Sequence, residues 1–174
     1  KCSGGEIKNS MITGKEDVMQ ALIEAFLMEK GTKEFYSQAA EKVSESVAKD
    51  TFKKLSQWEQ KHMNYIQFLY QSLEGDREIK TFEEFKNKAD APITEAGIPV
   101  KDIEAKIEEY NFTDDMKALT LAMGIEGKAY NLYHKLSQNA VDTNAQVVFK
   151  EMMEQELKHV DYLKKLREKL IKVY

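Results

Sequence analysis

One cysteine, two prolines and eight glycines are all that this 174-residue sequence holds of the residues that staple, kink or loosen a chain. The lone Cys2 excludes an internal disulfide framework and any CxxC metal knuckle. So few prolines and glycines leave long stretches free of helix breakers. No apolar run approaches the ~20 residues that a membrane span requires. The net charge of −4 is small and the basic residues are spread along the chain, so there is no electrostatic case for a nucleic-acid partner. No export signal is visible, which makes a cytoplasmic protein the expectation. Export or lipid anchoring through Cys2 in Lys1-Cys2-Ser3-Gly4-Gly5 is the alternative, set against residues 1–14 as a flexible N-terminal segment.

What the sequence does have is helical periodicity over a length suited to one domain with a continuous core. Four long segments carry it: about 15–46, 47–73, 113–139 and 143–172. In the first, Val18, Leu22, Ala25, Phe26, Glu29, Phe35, Tyr36 and Ala39 fall near one face. In the second, Phe52, Leu55, Trp58, Glu59, His62, Ile66 and Leu69 recur at spacings of three and four. Thr113 with Asp114 and Asp115, and Asp142 with Thr143, offer side-chain oxygens to cap the last two helices. Nothing demands a strand, so the fold class is all-α. The helices form two hairpins, 15–74 and 113–172, joined by residues 75–112, where Gly75, Pro92, Gly97 and Pro99 break the pattern. That connection far exceeds the roughly 2–8 residues that join antiparallel neighbours. A bundle needs such a crossover when its second and third helices run the same way, which selects ferritin-like connectivity for a four-helix bundle over residues 15–174.

Laid on itself with an offset of 97 residues, the chain repeats. Glu29 falls on Glu126, Tyr36 on Tyr133, Glu59 on Glu156 and His62 on His159. Ala21, Leu22, Ala25, Phe52, Tyr65 and Leu69 meet Ala118, Leu119, Ala122, Phe149, Tyr162 and Leu166, with no insertion in either half. A single Glu-x-x-His would carry little weight. With 30 acidic residues in 174, about one histidine in six has an acid three places earlier by chance. Two such motifs, each with a glutamate 30 residues before its Glu and a tyrosine 23 before it, are a different matter.

Residues three apart on a helix lie about 60° apart around the axis, so Glu59 with His62, and Glu156 with His159, can address the same ion. Glu29 and Glu126 sit on the partner helices inside apolar stretches and share the phase of the core. Buried carboxylates cost several kcal/mol each unless compensated, and four of them close together repel. Two divalent cations cancel four carboxylates. The repeat gives each ion its own Glu and His and leaves Glu59 and Glu156 free to bridge. Mixed carboxylate and imidazole ligation suits iron or manganese and tolerates zinc. Six protein ligands for two ions leave coordination positions for water, dioxygen or peroxide. Tyr36 and Tyr133, two turns along from Glu29 and Glu126, are either supports for the ligand carboxylates or half-buried core tyrosines. Met19, Met28, Met123, Met152 and Met153 read as core filler, Trp58 as a packing anchor, and the basic run 164–169 as a solvated helix end. His134 follows Asn131 rather than an acid and has no counterpart in the other half.

On these motifs the chain resembles the rubrerythrins of the ferritin-like superfamily. The carrying residues are Met28-Glu29-Lys30 with Phe35-Tyr36, Trp58-Glu59-Gln60-Lys61-His62, Ile125-Glu126-Gly127-Lys128 with Tyr133, and Gln155-Glu156-Leu157-Lys158-His159, and the likeness spans about residues 15–172. The resemblance implies that Glu29, Glu59, His62, Glu126, Glu156 and His159 ligate two irons, in a homodimer. It implies an oxidoreductase that reduces hydrogen peroxide or oxidises ferrous iron with dioxygen or peroxide. Two departures stand out. Rubrerythrins usually append a rubredoxin domain with four cysteines, whereas these 174 residues contain one, so a separate electron-donor protein is expected. The better-known members also carry an extra glutamate one turn beyond the first on the third helix, where this sequence reads Gly127-Lys128-Ala129-Tyr130. The competing expectations are an iron-binding or ferroxidase protein without peroxidase turnover, and a bundle in which metal serves stability alone.

Overall fold

A computed structural model describes residues 15–74, 114–141 and 143–173. The expectations for the flexible N-terminal segment with Cys2, for the short pieces within the crossover, and for capping by Thr113 and Asp142 lie outside the described residues. Four helices make up the described chain: α1 (Lys15–Lys42), α2 (Ser46–Glu74), α3 (Asp115–Asn139) and α4 (Thr143–Ile171). At 25 to 29 residues each they are about 38–44 Å long. None is long and apolar enough to cross a membrane.

The apolar stripes of the four helices meet in two clusters. One gathers Tyr36, Ala39 and Val43 of α1, Ala48, Phe52 and Leu55 of α2, Ala118, Leu119 and Ala122 of α3, and Leu163, Leu166 and Leu170 of α4. The other gathers Val18, Leu22 and Phe26 with Met63, Ile66 and Tyr70, and Tyr133 and Ala140 with Phe149 and Met152. The early turns of α2 and α3 therefore share an end with the late turns of α1 and α4. So α2 and α3 run parallel, and the end of α2 and the start of α3 lie at opposite ends of the bundle. This is the ferritin-like four-helix connectivity expected from the long crossover. Each large side chain buried in these clusters contributes about 1.5–3 kcal/mol relative to exposure.

One helix end differs from expectation for an identifiable reason. The first helix stops at Lys42 rather than Ser46, because the next backbone N–H groups have a better acceptor. Ser44 N–H and Glu45 N–H donate to Asp115 Oδ1 and Oδ2, each at 2.8 Å. Asp115 is thus no cap for its own helix. It is fully buried and holds the turn between α1 and α2 from across the bundle. Its neighbour Asp114 caps α3, accepting from Met116 N–H at 3.0 Å with an extended backbone. In the other hairpin turn Gln146 Nε2 donates to Ala140 O at 2.6 Å.

Candidate metal centre

Between the two apolar clusters lies a polar layer. Glu29 from α1, Glu59 and His62 from α2, Glu126 from α3, and Glu156 and His159 from α4 are all buried, the four glutamates completely. Their helical phase puts them there: each follows the apolar stripe of its helix at a spacing of three, four or seven, as Leu22 and Phe26 do before Glu29. Among the described residues, one ligating atom each from Glu59, His62, Glu156 and His159 lies within 4.8 Å of the others, a grouping able to hold a metal ion.

The atom positions resolve this layer into two adjoining pockets. His62 Nδ1 lies 3.3 Å from Glu29 Oε2 and 3.1 Å from both Glu59 Oε2 and Glu156 Oε1. His159 Nδ1 lies 3.1 Å from Glu59 Oε1, 3.3 Å from Glu126 Oε2 and 3.4 Å from Glu156 Oε2. Glu59 and Glu156 each turn one oxygen to either pocket. The two imidazoles lie face to face, 4.8 Å between centroids and 9° from parallel. A ring nitrogen carries at most one proton, so it cannot satisfy three carboxylate oxygens. In both pockets the hydrogen-bonded partner is the glutamate of α1 or α3. All four oxygens of Glu59 and Glu156 remain buried without a hydrogen bond of ordinary geometry. Donors about 2.1 Å from a shared ion stand about 3.0 Å apart at 90° and about 3.4 Å apart at 109°. The observed separations fall close to that range. The donor set therefore fits two cations, one per pocket.

The tyrosines complete the layer. Tyr133 O–H of α3 donates to Glu29 Oε1 of α1 at 2.6 Å, and Tyr36 O–H of α1 donates to Glu126 Oε1 of α3. Both tyrosines are fully buried, so each hydroxyl occupies one oxygen of a buried carboxylate and leaves the other facing a histidine. Of the two readings open from the sequence, the one that has the hydroxyls holding carboxylates agrees with this geometry. His134 is exposed, beside Gln138 and stacked on Tyr130, far from a ligand's surroundings.

The six side chains also set one another's protonation. Burial drives the Glu29 carboxyl up to about 8, with His62 opposing it and the charges of Glu59 and Glu156 adding to it. Glu126 is raised for the same reason, against the pull of His159. For Glu59 and Glu156 burial also acts upward, but contact with both histidines outweighs it; Glu59 falls far below the carboxylate range and Glu156 to about 2. Burial acts downward on the histidines, yet the surrounding carboxylates win and hold both well above the ordinary imidazole value. Burial and mutual contact thus favour proton uptake at Glu29, Glu126, His62 and His159 and ionisation at Glu59 and Glu156. Bound cations would supply positive charge at the same places.

Two contributors escaped the sequence reading. Trp58, taken as a packing anchor, stacks on His159 at 5.2 Å and 14°, and leans on Tyr162. The signal was available, because Gln155 stands at the matching position of the other half. Asp115 matches Val18, which marks it as the odd member of a repeated pair. No comparable signal foretold the bond from Tyr65 O–H to Glu151 Oε2, 2.8 Å across α2 and α4.

A four-helix bundle of ferritin-like connectivity around a buried carboxylate–imidazole layer defines the class of ferritin-like metal-binding proteins. The chain matches the family model described as Rubrerythrin over residues 20–167 and belongs to that family of ferritin-like di-iron proteins. Searches of curated proteins and of solved structures gave no match.

Proposed function

We propose that Glu29, Glu59, His62, Glu126, Glu156 and His159 hold two iron ions, and that the protein reduces hydrogen peroxide with electrons from a separate donor protein. The observation that carries this is the division of Glu59 and Glu156, each with one oxygen turned to His62 and one to His159. Manganese and zinc tolerate the same donors, and family membership favours iron. Bound reduced iron would supply the two electrons that, with two protons, turn one peroxide into two waters.

The chain's own part is positional. Tyr133 and Tyr36 tie up the outer oxygens of Glu29 and Glu126, so each glutamate offers a single oxygen inward and stays one-handed. That leaves room at both pockets for a small oxidant. The apolar clusters on either side exclude water along the bundle axis, which strengthens the charge interactions of the layer. A homodimer is the assembly expected from the family, and gel filtration tests it.

A second reading has one observation in its favour. Ala129 lies fully buried one turn beyond Glu126, where better-known rubrerythrins carry a further carboxylate. Ferroxidation or iron handling without sustained peroxide turnover would need no such group. Mixing chemically reduced, iron-loaded protein with peroxide, with and without a continuous supply of reductant, separates the two. Repeated turnovers support the peroxidase, a single oxidation supports iron handling, and no reaction with peroxide or dioxygen contradicts both.

A further inference from the structure

The polar layer meets the outside through its imidazoles. Glu29, Glu59, Glu126 and Glu156 have no exposure, whereas His62 and His159 keep 6 % and 2 %. Their edges open into a cavity of about 400 Å³ between α2 and α4. Trp58 forms part of its wall and stacks on His159, which stacks on His62, so three parallel rings lead from the cavity to the centre. The charges around the mouth are unequal. Lys61 and Lys158, exposed and at matching positions of the repeat, line it, and among the described residues neither pairs with an acid. Lys54 lies 5.9 Å over the Tyr162 ring beside Trp58. The acid in the lining, Glu151, already accepts the Tyr65 hydroxyl.

We propose that this groove between α2 and α4 is the docking surface for an acidic one-electron carrier protein, with Lys54, Lys61 and Lys158 meeting its carboxylates and Trp58, stacked on His159, as an aromatic contact leading toward the centre. It deepens the function proposed above, and rests on it for the need of an external donor. Positive charge at the mouth steers an acidic partner. Each encounter oxidises one carrier by one electron and reduces one iron by one electron. Two encounters replace the two electrons that a peroxide removes, and no covalent bond of the protein changes.

The test uses the full-length, iron-loaded chain and a small acidic flavoprotein carrier in its reduced form. Equilibrium binding is measured by titration calorimetry at low and at physiological ionic strength, and carrier oxidation by stopped flow. Binding should weaken with salt. Lys61→Glu combined with Lys158→Glu should weaken it about tenfold or more at low salt and slow carrier oxidation in parallel. Reduction by an uncharged hydroquinone should stay unchanged. Trp58→Leu should slow electron transfer within the complex while leaving the salt dependence of binding as it was. Binding and rate that ignore both salt and the lysine reversal would overturn the docking surface. Peroxide consumption by chemically reduced protein is followed alongside. If it holds while the reversal has no effect, the docking surface fails alone. If it fails while binding keeps its lysine and salt dependence, the peroxide reading fails and the docking surface stands.

Discussion

The two hairpins agree throughout the polar layer and differ at several positions around it. Every member of the polar layer has its partner 97 residues on, down to the tyrosine that crosses to the opposite glutamate. Around it some pairs diverge. Trp58 faces Gln155, Lys54 faces Glu151, and Val18 faces Asp115. The reason is electrostatic. A buried charge tolerates no unmatched neighbour, so a change on one side of the layer forces a change on the other. Rim and turn residues are answerable only to solvent or to one local contact and are free to differ. The symmetric part accounts for metal holding and for the lysine pair at the groove, and the asymmetric part for the aromatic wall of that groove and the stability of one turn.

That comparison breaks most visibly at the shared carboxylates. Glu59→Ala or Glu156→Ala should each cost both ions, because either residue serves both pockets. Glu29→Ala or Glu126→Ala should cost chiefly the ion of its own pocket. Metal analysis of the four purified variants decides this, and loss of a single ion from the Glu59 and Glu156 variants would remove the bridging assignment.

Chelation should come next in size. With free metal a thousandfold above its Kd, binding adds about 4 kcal/mol to stability. Its pH dependence follows from the protonation of the layer. Glu29, at about 8, and Glu126, His62 and His159 all sit above their ordinary values. Their contribution to the chelated protein is complete below the unfolded-state values of about 4.3 and 6.5, and is lost as pH rises through the folded ones. The same protons compete with metal at low pH. The gap in melting temperature between loaded and chelated protein should therefore widen from about pH 6 to about pH 9. A gap that narrows over that range would contradict the protonation pattern.

Smaller effects sharpen the comparison. Tyr36→Phe and Tyr133→Phe should each weaken metal binding by about 10–100-fold, and by similar factors, since the two tyrosines hold equivalent carboxylates. Unaffected affinity would return both to the status of core residues. Asp115→Ala should lower stability by about 1–2 kcal/mol, a few degrees in melting temperature, with bound metal unchanged. Val18→Ala, at the matching position, removes no hydrogen bond and should be felt only as lost packing.

The layer was legible because its chemistry imposes spacing. Helical phase and the 97-residue offset together single out Glu29, Glu59, His62, Glu126, Glu156 and His159, and the structure brings all six to one place. The parallel course of α2 and α3 was legible from the length of the intervening chain. What stayed hidden depends on contacts between residues remote in sequence that obey no period. Asp115 looks like a helix cap in sequence and becomes the clasp of the turn between α1 and α2 only through packing. The crossed tyrosine bonds are similar: spacing placed Tyr36 on the face of Glu29, and the fold gives its hydroxyl to Glu126. Trp58 reads as packing until its ring is found parallel to His159.

The most direct test is an anaerobic titration of chelated protein with ferrous iron near pH 7 in weak buffer, following bound iron and released protons together. Saturation at two ions per chain with protons displaced is the predicted result. Saturation at one ion, or binding of two ions without proton release, would show that the six buried side chains do not form the paired, proton-holding layer described above.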